Sequence, residues 1–261
     1  MGSLAGKSPS TTYKSLLKTS DETNGISGVL KHVEDGEGTT SCMALSTDLV
    51  WVFPKTTNGQ LTFLVQNKEN DNLLSVDTSN DVVKAGTTQT VVNSQLLEFN
   101  AFDLTPVAGT HYFVGRGSER YNSTDAAELA NGTGTDPATS YDGGATTDEL
   151  ISHLFLVPVA STIDAVKFMV STDSDTDTII NVHLYKFTIT NAGSTSDGNL
   201  TGGTLLANGQ ATSVDRNVIK TVTCTIDSAN VTANKVIACF VENETNTDDI
   251  RLQTQVLYHF N

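Results

Sequence analysis

The stretch Ile179-Ile-Asn-Val-His-Leu-Tyr-Lys-Phe-Thr-Ile-Thr190 decides the fold class of this chain. Along this stretch Ile180, Val182 and Leu184 alternate with His183, Tyr185 and Phe187. A period of two places successive side chains on opposite faces, and the β-branched and aromatic residues fit a pleated surface. This stretch therefore predicts a long β-strand.

The same pattern extends through the C-terminal part of the chain. In residues 250–260 it puts Leu252, Thr254, Val256 and Tyr258 on one face. Clusters of Asp, Asn, Ser and Gly separate seven predicted strands: 150–158, 163–171, 179–190, 203–209, 217–226, 235–242 and 250–260. Regular strands without a helical pattern predict a β-sandwich, jelly-roll-like, over residues 149–261.

The N-terminal part of the chain is built from shorter apolar pieces. We predict a short-stranded anchoring segment over 1–53, a short β meander over 54–117, and a linker or long exposed loop over 118–148. Pieces this short bury little apolar area, so either other parts of the chain or a neighbouring subunit must cover them. The whole chain is thus expected to be all-β.

Composition and charge disfavour several classes of protein function. Hydrophobic residues make up 38% of the chain and charged residues 17%, which suits a folded β protein better than a disordered tail. Thirty Asp and Glu against fifteen Lys and Arg give a formal charge of −15. A polyanion repels DNA phosphates and anionic lipid headgroups, so nucleic-acid and membrane-surface roles are disfavoured.

Cysteine spacing and the first residues of the chain bear on where the protein resides. Cys42, Cys224 and Cys239 form no Cys-x-x-Cys pair, so neither a disulfide framework nor a zinc site is indicated. The start of the sequence has no hydrophobic signal region, and no apolar run approaches the length of a membrane span. We expect folding in the cytoplasm and no membrane insertion.

Motifs for chemistry are sparse. Alternating carboxylates in Asp173-Ser-Asp-Thr-Asp177 are spaced as in a cation loop, but the glycine and the bidentate acid of an EF-hand are missing, so a solvated turn is the competing interpretation. The histidines are scattered; His153, His183 and His259 lie in predicted strands and either approach one another or are ordinary strand residues. No nucleophile elbow or phosphate loop occurs. We expect no enzyme activity and no cofactor.

Several short motifs resemble virion structural proteins of marine tailed bacteriophages, of the tail-fibre-like or capsid-decorating kind. They are the runs at 13–20, 29–41 and 44–47, the Leu-x-Val-Asp repeat within 72–86, and the C-terminal stretches at 152–158, 182–186 and 256–260. The resemblance implies a virion component, commonly a homotrimer, that is anchored by its N-terminal part with the C-terminal domain outermost. It implies no catalytic residues.

These observations lead to one main hypothesis: a non-enzymatic virion protein that acts by assembly with other virion proteins, capsid or tail. Anchoring residues would be Leu16, Leu17, Leu30 and Trp51. Aromatic side chains stack on sugar faces, so Tyr112, Tyr121 and Tyr141 are candidate contacts to a host-surface glycan. The alternatives are a bacterial carbohydrate-binding or adhesin module and, as a third, a glycan depolymerase, which would need two carboxylates across a groove.

Overall fold

The computed structural model describes residues 17–21, 25–54, 56–59, 61–86, 90–116, 129–142, 150–190 and 199–261. The chain divides into two compact units, Met1–Val92 and Asn93–Asn261. Strands make up nearly all of the regular structure in the described ranges, so the all-β prediction is confirmed. No helix in these ranges is long and apolar enough to cross a membrane.

The first unit contains two four-stranded antiparallel sheets, each with its strands in chain order. Its strands are β1 (Lys18–Thr19), β2 (Lys31–Glu34), β3 (Thr40–Leu45), β4 (Val50–Val52), β5 (Phe63–Gln66), β6 (Asn72–Asp77), β7 (Val82–Ala85) and β8 (Thr90–Val91). Strands β1–β4 form the first sheet and β5–β8 the second. Such consecutive pairing is the meander geometry that short strands and tight turns favour.

The aspartate of the Leu-x-Val-Asp repeat holds a turn together. The buried Asp77 carboxylate at the end of β6 accepts bonds from the backbone N–H groups of Ser79 and Asn80, from the Asn80 amide at 2.8 Å, and from the Lys84 ammonium at 3.2 Å. The side-chain bond from Asn80 contributes most to lowering the pKa of Asp77 below its usual value of 3.8. The acidic residue of this motif is therefore explained by turn structure.

The second unit is a two-sheet sandwich. Its strands are β9 (Ser94–Leu104), β10 (Thr110–Val114), β11 (Ala130–Thr133), β12 (Leu154–Val157), β13 (Ser161–Thr172), β14 (Thr178–Thr190), β15 (Asn199–Val214), β16 (Lys220–Thr223), β17 (Thr225–Ile226), β18 (Asn230–Val231), β19 (Lys235–Asn243) and β20 (Ile250–Phe260), with a 3-10 turn at Ile151–His153. The seven-stranded sheet runs β11-β10-β19-β14-β15-β17, with β12 also on β19. The five-stranded sheet runs β16-β13-β20-β9, with β18 on β13.

This strand order is that of a jelly roll. When β11, β12, β17 and β18 are set aside and the other eight strands are counted from one to eight, one sheet runs 1-8-3-6 and the other 2-7-4-5. The predicted jelly-roll-like sandwich is confirmed. Between the sheets lie fully buried side chains from both, among them Phe99, Leu104, Phe168, Leu184, Val241 and Val256.

The outer face of the seven-stranded sheet is also covered. Residues 129–142, here called the cover segment, cross this face: Thr139 accepts a bond from Gly203 N–H at 2.8 Å, and Tyr141 forms a bridge with Leu200. A Cβ on Gly203 would stand 2.8 Å from the Thr139 Cα, so only glycine permits this approach. As a result, β19 is buried along nearly its whole length.

The structure corrects the predicted domain boundaries. The sandwich begins near residue 94 rather than 149, because β9 pairs along β20 and β10 pairs with β19. Residues 94–116 therefore lie outside the meander predicted for 54–117. The described part of the stretch predicted as a linker or exposed loop, 129–142, belongs to the sandwich as β11 and the rest of the cover segment; residues 118–128 and 143–149 lie outside the described ranges.

Strand boundaries differ where glycine was interpreted as a strand end. Strand β15 runs through Gly202, Gly203 and Gly209, far beyond the predicted 203–209. At Gly203 and Gly209 the missing side chain makes room for Thr139 and for the Phe168 ring, respectively. The predicted strand at 217–226 is divided into β16 and β17 around the buried Cys224.

We predict that a fragment of residues 93–261 unfolds cooperatively in urea, whereas a fragment of residues 149–261 does not. The shorter fragment loses β9 and β10 and with them the buried Phe99, Leu104 and Phe113. Each large core side chain contributes about 3–5 kcal/mol, which is comparable with the whole stability of a domain. Circular dichroism during urea titration measures this. Cooperative unfolding of the 149–261 fragment would contradict the boundary.

Candidate functional site

A row of four polar side chains crosses the outer face of the seven-stranded sheet. His111 of β10, Glu242 of β19, Asn181 of β14 and Gln210 of β15 are direct cross-strand partners. The Asn181 amide nitrogen donates to Glu242 Oε2 at 2.8 Å, and the Gln210 amide nitrogen donates to Asn181 Oδ1 at 2.9 Å. His111 Nε2 lies 3.5 Å from Glu242 Oε2, too far for a hydrogen bond. We call these residues the polar row.

The backbone register shows which face the polar row occupies. The adjacent row on the other face contains Tyr112, Val241, Val182 and Gly209. A Cβ on Gly209 would stand 3.0 Å from the ring of Phe168 in the opposite sheet. That adjacent row therefore faces the sandwich core, and the polar row faces away from it.

The next row on the outer face changes from aromatic to polar. Phe113, Phe240, His183 and Asn208 are its direct cross-strand partners. The His183 ring lies against His111, with ring centroids 5.0 Å apart. Its Nε2 is 3.7 Å from an Asp136 carboxylate oxygen, which the cover segment supplies. The Asn208 amide nitrogen donates to Asp227 at 3.0 Å.

A cleft of about 660 Å³ opens where these two rows meet the cover segment. Its polar lining consists of Asp136, Asn181, His183, Asn208, Gln210, Glu242 and Glu244, with Thr135 and backbone at Gly109, Gly134 and Gly209. Glu244, just beyond β19, accepts a second bond from the Asn181 amide nitrogen at 3.2 Å. The Asn181 side chain thus holds two carboxylates at the cleft wall.

Burial sets the charge state of this cleft. Loss of hydration lowers the pKa of His111 to about 4, helped by the neighbouring His183, while the Gly132 carbonyl and Asp136 act in the opposite direction. Burial likewise lowers the pKa of His183, opposed by Asp136 and Asp227. Both rings are therefore neutral at pH 7. Burial also raises the pKa of Glu242, the Asn181 bond lowers it, and Glu244 raises it further.

Carboxylates dominate the chemistry of this cleft. Among the described residues no three His, Cys, Asp or Glu side chains are placed to hold a metal ion. Three carboxylates, from Asp136, Glu242 and Glu244, face a space large enough for a small ligand. What the arrangement offers is hydrogen-bond acceptors and negative charge.

The predicted anchoring residues fall in the first unit. Leu17 is exposed and precedes β1, Leu30 is half-buried and precedes β2, and Trp51 in β4 is exposed. Trp51 contacts Phe53, with ring centroids 4.5 Å apart. Leu16 lies outside the described residues. No single cluster of the predicted residues is formed, but exposed apolar side chains do recur across this unit.

The tyrosines predicted to contact a glycan are not available as a group. Tyr112 is wrongly placed by the prediction: it lies in β10 and faces the sandwich core, and its hydroxyl accepts a bond from Val107 N–H at 2.9 Å. Tyr141 is half-buried and packs edge-on against Phe113, with centroids 5.0 Å apart. Tyr121 lies outside the described residues. Tyr112 is therefore buried away from any sugar, and the ring of Tyr141 is in contact with Phe113.

The aspartates of the 173–177 turn bond to different partners, and His259 does not approach His183. Asp173 accepts a bond from Asp249 N–H at 2.8 Å, and Asp175 pairs with Arg216, so these carboxylates point to different partners. His259 pairs with Asp164 at 2.9 Å rather than with His183. The histidine that approaches His183 is His111.

The residues of the cleft were missed from sequence, although two signals were present. Val236-Ile-Ala-Cys-Phe-Val241 has no alternation, which is typical of a strand buried on both faces. Glu242 follows it directly, so its carboxylate is attached to a buried strand. Asn181 and His183 share a face of β14 by their spacing. Only the cross-strand register of β10 and β15 brings the remaining members together.

Comparison with known proteins shows no family. The chain matches no protein-family model and no curated protein. Among solved structures it is similar to an aminopeptidase from the marine sediment archaeon Thaumarchaeota archaeon, with 10% sequence identity and a TM-score of 0.29. The alignment covers 71% of this chain and 38% of that chain. At that level the similarity carries no conclusion about this protein.

We predict that acidification destabilises the sandwich through the buried histidines. The unfolded chain protonates His111 near pH 6.5 but the folded chain only near 4, so the free energy of unfolding falls as pH drops through that window. Between pH 7 and pH 5 the loss from His111 is about 2 kcal/mol. Glu242 acts oppositely, because its raised pKa lets the folded state take up a proton first.

Urea unfolding of residues 93–261 at both pH values measures the effect. His111→Asn is expected to flatten the pH dependence, and Glu242→Gln to steepen it, because each removes one of the two opposing titrations. Equal slopes for the wild-type fragment and both variants would show that the cleft does not titrate in this way.

Proposed function

We propose that this chain is a non-enzymatic structural protein of a tailed-bacteriophage particle. Residues 1–92 join it to further copies of itself, as a homotrimer, and to other virion proteins, and the jelly-roll sandwich is displayed. The observation that carries the proposal is the exposure of apolar side chains on the two small sheets of the first unit. The motif resemblance to tail-fibre-like and decoration proteins supplies the virion setting.

The first unit leaves large apolar side chains exposed on four of its eight strands, β4 to β7, and in the segments beside its strands. Val50 and Trp51 of β4 are 62% and 48% exposed. Exposed as well are Leu17, Ile26, Val29, Leu49, Leu61, Phe63, Val65, Leu73, Val83 and Val92. A small sheet needs a layer on its apolar face to be stable in water.

The division of charge favours contact between copies of this unit. Residues 1–92 carry seven lysines and ten Asp or Glu, a formal charge of −3. Residues 93–261 carry eight Lys or Arg and twenty Asp or Glu, a formal charge of −12. Mutual repulsion between copies is therefore weak for the first unit and strong for the sandwich. Three copies joined through their first units would leave the three sandwiches apart.

Open strand edges supply a second means of association. Within the described ranges, β4 ends the first sheet and β5 ends the second, each with one neighbour. Edge strands present unpaired N–H and C=O groups to another chain. β4 reads Val-Trp-Val, with none of the charges or prolines that protect a free edge. Another copy of the first unit would cover the exposed apolar side chains and pair with the backbone groups of this edge.

The jelly roll is compatible with the proposal but does not decide it. Double-sheet jelly rolls occur in viral capsid proteins and in lectins alike, and a fold hosts many functions. It is a compact unit that needs no partner for its core. This leaves the first unit as the part whose contacts are incomplete.

We predict that the full chain sediments as a trimer and that a Val50→Thr, Trp51→Thr double variant shifts toward monomer, because the variant removes apolar surface from the β4 edge. Ile219→Thr is the matched control: Ile219 is 73% exposed but lies in the sandwich. Analytical ultracentrifugation over a range of protein concentrations measures the mass. A wild-type monomer at all concentrations would contradict assembly.

The virion setting has its own test. Mass spectrometry of purified phage particles that encode the protein is expected to find the wild-type chain, and particles made with the double variant are expected to lack it. Particle-free protein that binds glycans as a monomer would favour the carbohydrate-binding or adhesin alternative. Shortening of host polysaccharide by the purified chain would show that it is a depolymerase.

A further inference from the structure

The cleft on the sandwich has more acceptors than donors. The Asn181 amide nitrogen already donates to both Glu242 and Glu244. The Gln210 and Asn208 amide nitrogens each donate to a neighbouring residue, Asn181 and Asp227. Carboxylates accept bonds and donate none when ionised. The amide donors in the cleft wall are therefore largely used in bonds to other protein groups, and few remain for the three carboxylates.

Buried histidine nitrogens point to a missing ligand. His183 lines the cleft, is 6% exposed, and its Nδ1 has no hydrogen-bond partner. His111 is fully buried beside it, and neither of its ring nitrogens makes a hydrogen bond of ordinary geometry, although the Gly132 carbonyl is near. An unpartnered buried polar group costs about 1–3 kcal/mol. Of the two rings only His183 lines the cleft, so His183 is the ring to which a ligand in the cleft could supply a partner.

The charge of the cleft selects the chemical class of the ligand. Asp136 and Glu244 stand at the opening, and Glu242 is buried at the wall. A phosphate or carboxylate ligand would be repelled, and a neutral sugar would leave the carboxylates uncompensated. A metal ion needs three or more ligands converging on one point, an arrangement that the described residues do not offer. A cation with several N–H donors both compensates the carboxylate charge and supplies hydrogen-bond donors to the carboxylate oxygens.

We propose that this cleft binds a primary ammonium or guanidinium group, as found at the end of a polyamine or of a lysine or arginine side chain. Glu242 and Glu244, held by Asn181, accept its N–H bonds from the wall, and Asp136 closes on it from the cover segment. The neutral His183 ring offers a further acceptor. This site lies in the second unit and does not depend on the proposed assembly through the first.

The test is isothermal titration calorimetry of the full chain at low salt with two probes. Agmatine carries a guanidinium and an ammonium, and spermidine carries ammonium groups alone. We expect saturable binding of at least one probe, weakened about tenfold by Glu242→Gln, Glu244→Gln. Binding of agmatine but not spermidine assigns the site to guanidinium; binding of both with similar affinity assigns it to ammonium.

Glu98→Gln is the matched control, because Glu98 lies on β9, in the other sheet, and bonds Gln255 at 3.0 Å. It removes one negative charge outside the cleft, where the cleft variant removes two, and we expect it to change affinity less than twofold. Nitrogen-15 spectra of the histidine rings give an independent readout, in which the His183 signals shift on adding the probe while those of His259 stay unchanged.

Four outcomes would overturn the proposal. They are no saturable binding of either probe, equal weakening by Glu98→Gln, tighter binding of a neutral methyl glycoside than of either amine, and binding of zinc ion that is tighter than either amine and is abolished by His183→Ala. Failure of trimer formation would leave this site unaffected, so the two proposals fail separately.

Discussion

Burial of β19 on both faces is the constraint on which the sandwich depends. The strand lies between β14 on one side and β10 and β12 on the other, and its apolar run from Val236 to Val241 needs cover in both directions. The five-stranded sheet supplies one cover. The cover segment at 129–142 supplies the other, packing Tyr141 near Phe113 and Phe240. Without this second layer, the aromatic outer face would be open to water.

The polar cleft follows from where that cover ends. Toward the end of β19 the outer face changes from Phe240 to Glu242, and the cover segment reaches this region with Asp136. Side chains at the edge of a covered face are desolvated without being enclosed. This explains why the pKa of His111 and that of His183 are lowered and why the pKa of Glu242 is raised within one small area. Perturbed titratable groups beside a cleft are the usual mark of a binding site.

The sequence predicts the sandwich well because local pattern and long-range pairing agree there. Alternation in β14 and β20 correctly separates the core face, with Val256 and Leu252 buried as expected. The start of the domain was missed because β9 and β10 are adjacent in sequence to the meander, while their partners β20 and β19 lie more than a hundred residues away. Gly203 and Gly209 are the predicted ends of this strand, since nothing local distinguishes a glycine at a strand end from one inside a strand that admits Thr139.

The candidate site was hidden for the same reason. Its members lie on four strands and one connecting segment, and none belongs to a short motif. Tyr112 is predicted as a glycan contact, yet one residue of register decides whether His111 or Tyr112 faces the core. Register is set by pairing with β19, which is a property of the whole fold. Spacing along one strand can therefore predict which residues share a face, but not which face becomes a site.

The two units reach stability by different means, and this difference bears on function. The sandwich closes its core from its own strands and carries a formal charge of −12, so it gains little from association with its own copies. The first unit is close to neutral, holds its turns with carboxylates such as Asp77, and leaves Val50 and Trp51 at an open edge. Hydrogen-bonded turns fix strand register but bury little apolar area. The remaining stabilisation must come from a surface outside each small sheet, which is why we propose assembly through this unit and ligand binding by the sandwich.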